Sequence, residues 1–172
     1  MIVRVSCWLS SVILIATLLR IAALLLVSSA VAAQGQDWLT HVRGLGFGER
    51  LSEIKSVSQL PEAKQRERVP ALIQLLMDDD QSVRITAAAE IAQIRGVAEE
   101  ALPSLIENFR QPDGEEGMEY VLAVAAFGEK ALPRLERALG SSAWLVRTRA
   151  CDATRKILPQ LYRDGECKEK AS

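Results

Sequence analysis

The chain has 172 residues and a formal net charge of −1, and 49% of its residues are hydrophobic although only 5% are aromatic. A nearly neutral chain lacks the clustered excess of Lys and Arg that nucleic-acid binding needs, so we exclude nucleic acid as a general partner. With few aromatic residues the core must consist of Ala, Leu, Ile and Val, and this aliphatic, charge-rich mixture favours helices. The composition therefore predicts an all-α protein.

Residues 1–33 have the pattern of an export signal. Between Val5 and Ala33 the only charged residue is Arg20, and small residues precede Gln34 at the spacing that a signal peptidase accepts. The alternative is an uncleaved membrane anchor, because the apolar stretch reaches roughly 20 residues, enough to span a bilayer. A charge near mid-membrane costs about 2.5–3.5 kcal/mol, which weakens that alternative. We expect an exported protein, periplasmic or extracellular, that contacts a membrane only through this segment if the segment is not cleaved.

Residues 34–48 come next and carry three glycines within five positions, which predicts a linker. Their Gly-Leu-Gly-Phe-Gly run does not predict a phosphate-binding loop, because it follows no strand and lacks the Lys-Ser/Thr ending. Four apolar residues then recur at helical spacing: Leu51, Ile54, Val57 and Leu60. They predict a short helix that ends at Pro61 and caps the N-terminal end of the domain.

Three related sequence segments follow, and each begins with a proline: Pro70, Pro103 and Pro133. The prolines are 33 and 30 residues apart, and the match continues without a gap, since Val83 and Val146 lie equally far beyond their prolines. In the first unit, apolar residues at helical spacing form one stripe: Val83, Ala87, Ile91 and Ile94. Each unit is therefore predicted to be a pair of helices joined by a short polar turn.

These units define the predicted domain organisation. A repeat domain covers residues 49–163, and residues 164–172 form a polar tail. One helix pair cannot bury its own apolar face, so the pairs are expected to stack and share a core. The predicted repeats span three ranges: about 61–96, 97–128 and 129–158.

The turns and prolines predict where the helices of each repeat begin. Asp80 is expected to cap the second helix of the first repeat, and Ser141 or Ser142 that of the third. Each proline either starts the first helix of its repeat or bends it, because proline lacks the N–H of a helical hydrogen bond.

The segment from Pro70 to Ala92 resembles a HEAT repeat, and especially the short kind that also occurs in phycobilisome-lyase-like (bilin-lyase-like) proteins. The resemblance extends over about residues 61–158. It implies an armadillo-like α-α superhelix, here a solenoid of about three helix pairs plus one capping N-terminal helix. It also implies that the proline bends the first helix, so Pro70, Pro103 and Pro133 are expected to be structural residues.

The same resemblance assigns a role to two polar residues of the first repeat. In HEAT repeats an Asp and an Arg six residues apart tie adjacent repeats together, and Asp78 and Arg84 match that pair. The third repeat keeps the arginine, as Arg147, but not the acid. The second repeat departs from the pattern at both positions, with Gln111 and Gly117.

The residues that could support catalysis are few. His41 is the only histidine, whereas metal sites usually need several converging His, Cys or carboxylate ligands. No Ser–His–Asp arrangement can be assembled around it, and the paired His-Glu motifs of HEAT-type hydroxylases are missing. We therefore predict no catalytic residue, no cofactor and no metal, and interpret the chain as a binding protein and not an enzyme.

The last predicted helix carries the candidate binding residues. Trp144 falls at a position that is polar or small in the other repeats, so it is expected to anchor a protein partner together with Arg147 and Arg149. The alternative is that Trp144 packs under the C-terminal tail. Cys151 occupies a core-facing position and is expected to be buried, and it can pair with Cys167 only if the tail folds back.

Together these observations predict an exported scaffold or adaptor that binds a protein partner whose identity the sequence does not give. Two alternatives remain open. The resemblance to lyase-like repeats implies a helper in the attachment of bilin chromophores, although export argues against it. A purely structural protein of the cell envelope is the other.

Overall fold

The computed structural model describes residues 36–111 and 114–159. These residues form eight helices joined by turns, with no strand among them, so the all-α prediction is confirmed. The predicted leader over residues 1–33 and the predicted tail over residues 164–172 lie outside the described residues. The helices have the following bounds: α1, residues 36–44; α2, Phe47–Lys55; α3, Glu62–Leu75; α4, Gln81–Gln93; α5, Leu102–Glu107; α6, Gly114–Ala125; α7, Leu132–Leu139; and α8, Trp144–Ile157.

The helices are arranged in two layers. α3 packs against α4, α5 against α6 and α7 against α8, as the repeat pattern predicts. The second helices stack in chain order, because α4 packs on α2, α6 on α4 and α8 on α6. The first helices α5 and α7 also touch each other. These contacts confirm the predicted solenoid of stacked helix pairs.

The core lies between the two layers and repeats with the sequence. Leu72, Leu105 and Leu135 hold one position in the three first helices, and all three are fully buried. The facing positions of the second helices are buried as well: Ala88, Val121 and Cys151, then Ile91, Val124 and Thr154. Each large aliphatic side chain contributes roughly 1.5–3 kcal/mol on burial, so this core is what holds the pairs together.

The N-terminal end differs from the sequence prediction. A linker was expected over residues 34–48, but residues 36–44 form α1, and three of its side chains are buried: Trp38, Leu39 and Val42. The indole Nε1 of Trp38 donates to Glu53 Oε1 of α2 at 2.9 Å, and the Arg68 guanidinium lies 5.2 Å from the indole centre. The linker prediction is wrong for this stretch, and the cap is a helix pair, α1 with α2, because apolar residues at i, i+1 and i+4 give α1 a face to bury.

A buried carboxylate joins this cap to the first repeat. Glu90 of α4 is buried, and one of its oxygens accepts a hydrogen bond from the backbone N–H of Ser58. Ser58 lies in a short 3₁₀ turn, Val57–Gln59, between α2 and α3. A charge-assisted bond to a backbone N–H is stronger than a neutral one, so Glu90 fixes the turn against α4.

The three prolines do not all play one structural part. Pro70 lies inside α3, eight residues after the helix begins at Glu62. Pro103 and Pro133 lie in the first turn of α5 and α7, where the missing N–H would have had no helical partner. Short 3₁₀ turns precede both of these helices. The first repeat therefore has an internal proline, and the other two repeats have a proline that starts the helix.

The predicted helix caps have two different outcomes. Asp80 Oδ1 accepts the backbone N–H of Ser82 at 2.7 Å, and it also accepts that of Val83, so this cap is confirmed. The serine cap of α8 is wrong, because Ala143 is the N-cap residue and no side chain caps the helix. Ser141 Oγ instead accepts the N–H of Ala143, one residue before the helix begins.

Cys151 is buried, as its core-facing position predicts, with 7% of its surface exposed. It is disulfide-bonded. Its partner lies outside the described residues, and the other cysteines of the chain are Cys7 and Cys167.

Candidate functional site

An arginine closes the turn between the two helices in the first and third repeats. Arg84 Nη1 donates to the carbonyl oxygens of Asp78 and Asp79, at 2.8 and 3.0 Å. Arg147 Nη1 makes the same two bonds to Ser141 and Ser142, both at 2.9 Å. These carbonyls lie in the turn after the first helix, so the guanidinium satisfies backbone acceptors that belong to neither helix. The pair Asp78 and Arg84 is thus in contact, through the aspartate's backbone.

The second repeat receives its arginine from the third. Gly117 stands where Arg84 and Arg147 stand in their repeats, and it has no side chain to offer. Arg149 of α8 fills the gap, since its Nη1 donates to the carbonyl of Phe109 at 2.8 Å and to that of Gln111. Gln111 is the repeat equivalent of Asp78 and Ser141. The bond therefore links adjacent repeats and completes the missing turn closure at the same time.

This geometry changes the predicted binding surface. Arg149 is only 6% exposed, so its prediction as a surface contact is wrong: burial and its bonds to the second repeat make it a structural residue. Arg147 is half-buried and bonded to its own turn, so its guanidinium is not freely available to a partner. Trp144 is 66% exposed at the first position of α8. Of the three predicted residues, the tryptophan alone presents a large surface to solvent.

Other apolar side chains extend this surface across the neighbouring helices. Met118 and Leu122 lie one turn apart on α6 and are 44% and 43% exposed. Ile85 and Ala89 hold the equivalent positions on α4, where the first is half-buried and the second exposed. Because α4, α6 and α8 stack side by side, equivalent positions line one face of the second-helix layer, and on α8 these positions carry Thr148 and Asp152. Trp144 lies one helical turn before Thr148 on α8. We define this face by five residues and call it the second-helix face: Ile85, Ala89, Met118, Leu122 and Trp144.

Sequence reasoning missed Met118 and Leu122, although a signal was present. The repeat alignment assigned Val121 and Val124 to the core, and both are fully buried. Met118 and Leu122, four positions apart, lie outside that buried stripe. A strictly amphipathic helix would carry polar residues at those positions, so the two apolar residues were the signal. Phe47 at the start of α2 and Met77 in the turn after α3 are also exposed.

The charged side chains around His41 pair with one another and do not form a recognisable reactive site. His41 is exposed on α1 and lines a cavity of about 470 Å³ with charged side chains of α2 and α3. Several of these side chains bind one another, as in the 2.7 Å ion pair of Lys64 with Glu67. Within residues 36–111 and 114–159, no three His, Cys, Asp or Glu side chains lie together as a metal site would require. No helix in the same ranges is both long enough and apolar enough to cross a membrane.

Comparison with known protein families matches residues 53–119 to the HEAT repeats family. The matched range runs from α2 into α6 and contains the whole first repeat, which confirms the resemblance over those residues. No curated protein sequence matches the chain significantly.

Proposed function

We propose that the chain, whose residues 53–119 match the HEAT repeats family, is a protein-binding scaffold that acts outside the cytoplasm and has no catalytic activity of its own. Stacked helical repeats present extended surfaces that suit protein partners. The observation that carries the proposal is the second-helix face, where Met118, Leu122 and Trp144 expose large apolar side chains. A large contiguous apolar surface is a common mark of an interaction site.

Two observations support a location outside the cytoplasm. Residues 1–33 have the composition of an export signal, with small residues before Gln34. Cys151 is disulfide-bonded, and disulfides persist mainly in oxidising compartments. N-terminal sequencing of the protein from fractionated cells tests this part, and we expect a mature chain that begins at Gln34 in the exported fraction. An uncleaved chain in the cytoplasm would overturn it.

The interaction itself is tested by site-specific photo-crosslinking in the native host. A photoreactive amino acid at Met118 or Leu122 should give one discrete adduct with a partner protein. The matched control is the same amino acid at Glu62, which is exposed at the start of α3 in the other layer. Identical products from both layers, or no adduct from the second-helix face, would contradict the proposal.

The alternative of a helper in bilin attachment rests on the lyase-like resemblance alone. The five residues that define the second-helix face include no nucleophile, so this face does not favour it. The scaffold remains the function that the described surface supports best.

A further inference from the structure

A second surface lies on the layer of first helices, between α5 and α7. It is a groove of about 420 Å³, a size within the roughly 300–1,000 Å³ of typical ligand-binding clefts. Its floor is apolar and is formed by Ile106, Ala138 and Val146, of which the last two are buried. The groove is distinct from the second-helix face, because its lining residues other than Val146 of α8 lie on or directly after α5 and α7.

The rim of the groove is cationic. Arg110, Arg134 and Arg137 line it together with a single acid, Glu107. Arg110 Nε lies 2.8 Å from Glu107 Oε1, so these two charges neutralise each other. Within the described part of the chain, the side chains of Arg134 and Arg137 have neither a carboxylate nor a hydrogen-bond partner. The groove therefore carries two unneutralised guanidinium groups beside an apolar floor.

The helix dipole of α7 favours a positive charge at only one of these two arginines. Arg137 lies in the last turn of α7, where the helix dipole favours a cation. Arg134 lies in the first turn of α7, where the dipole disfavours a cation. The two are three residues apart on one helix, and like charges at that spacing repel each other. A bound anion that spans both guanidinium groups would remove this repulsion.

We propose that the groove binds an acidic peptide segment of a partner protein, with carboxylates on Arg134 and Arg137 and an apolar side chain over Ile106 and Ala138. The guanidinium fork matches a carboxylate through two parallel hydrogen bonds, which gives the site its chemical preference. The apolar floor favours a peptide over a purely ionic ligand, since it would bury a side chain. This inference deepens the scaffold function and rests on it for the nature of the partner.

Fluorescence anisotropy with the purified mature chain tests the preference. The probe is a labelled nine-residue peptide, Gly-Glu-Asp-Glu-Leu-Glu-Asp-Glu-Gly, compared with its Gln/Asn counterpart and with a dT12 oligonucleotide. The acidic peptide should bind at least about tenfold more tightly than the amide peptide, and the binding should weaken as salt screens the exposed charges. Equal binding of the two peptides, or tighter binding of the oligonucleotide, would overturn the inference.

Matched variants locate the site. The double substitution Arg134→Gln with Arg137→Gln should weaken binding of the acidic peptide by at least about fivefold, since two charge pairs are lost. Arg95→Gln removes an exposed arginine beyond the end of α4, away from the groove, and should leave binding unchanged. An equal loss in both variants would show that the peptide responds only to overall charge.

The same variants separate this inference from the scaffold proposal. The double variant keeps the second-helix face intact, so its cross-linked adduct at Met118 should persist. If the wild type binds the acidic and amide peptides equally and the Met118 adduct still forms, the groove inference fails and the scaffold proposal stands. Peptide binding without any adduct at Met118 defeats the second-helix face and leaves the groove.

Discussion

Arg149 of α8 lies directly over Gly117 of α6, so closely that a Cβ added to the glycine would be 1.9 Å from Arg149 Nη2. The arginine side chain occupies the space that any other residue at 117 would need. In the first and third repeats the same repeat position carries an arginine that closes its own turn, as Arg84 and Arg147 do. Arg149 therefore supplies the turn closure that the second repeat lacks, and the missing side chain at Gly117 leaves room for its guanidinium group.

The first prediction concerns Gly117→Ala. Alanine normally stabilises a helix by about 1 kcal/mol relative to glycine. Here the new methyl group would displace a buried guanidinium from the carbonyls of Phe109 and Gln111, and bonds to charged groups are worth about 1.5–3 kcal/mol each. We expect a net loss of about 1–3 kcal/mol in the free energy of unfolding, measured by urea denaturation.

A matched control is available in the cap. Gly48 lies in α2, and a Cβ added there would meet no atom within 4 Å. Gly48→Ala should therefore be neutral or stabilising by up to about 1 kcal/mol. If the two substitutions had the same effect, the close approach of Arg149 to Gly117 would not matter for stability.

The second prediction tests whether the arginine can be returned to its own repeat. Arg149→Thr, which copies Thr86 of the first repeat, should cost about 1.5–3 kcal/mol, because two acceptors lose their donor. Adding Gly117→Arg to that variant places an arginine where Arg84 stands in the first repeat, and we expect it to recover at least half of the loss. Gly117→Arg alone should destabilise the protein, since two guanidinium groups would compete for one site. A double-mutant cycle with additive effects would contradict this exchange.

This pair also shows why the sequence could predict the fold more fully than the site. The repeat spacing gave the three helix pairs and their buried leucines, because core positions recur with the period. Arg149 closes the turn of the second repeat because Gly117, 32 residues earlier, lacks the arginine that the other repeats carry at that position. A periodic pattern cannot reveal such a substitution of one residue for another. The glycine-rich stretch after α1 hid that helix, although Trp38, Leu39 and Val42 already had helical spacing. Met118 and Leu122 were signalled by their position outside the core stripe of α6, but the order in which the second helices stack beside them is known only from the structure.

The third prediction concerns attachment of the N-terminal cap. Glu90 has no counterpart in the other repeats, where the equivalent residues are the buried Ala123 and Ala153. Glu90→Ala would leave the N–H of Ser58 without its acceptor, so we expect a loss of about 1–3 kcal/mol. Limited proteolysis should then cut within the Val57–Gln59 turn faster than in the wild type. Unchanged cleavage there would show that core packing alone holds the cap.

The fourth prediction concerns the disulfide of Cys151. Removal of the leader would take Cys7 with it and leave Cys167 as the partner. Thiol titration of the denatured, unreduced mature protein should find no free thiol, and Cys167→Ser should release one. A loop of about 15 residues closed by a disulfide is worth roughly 3 kcal/mol in the chain-entropy account, so the variant should also be less stable. Two free thiols in the wild type would rule out the bond.

The fifth prediction separates binding from folding at the end of α8. Trp144 is 66% exposed, so Trp144→Ala should change the free energy of unfolding by no more than about 0.5 kcal/mol. If the tryptophan anchors a partner, the same variant should lose most of the adduct formed from a photoreactive group at Met118, because truncating a central aromatic contact typically costs at least about 2 kcal/mol of binding. Arg149→Thr serves as the opposite control: it should lower the free energy of unfolding but leave the residues of the second-helix face unchanged. An adduct that survives Trp144→Ala unchanged would restrict the partner to α4 and α6, whereas a large loss of stability would mean that the indole packs against its own chain.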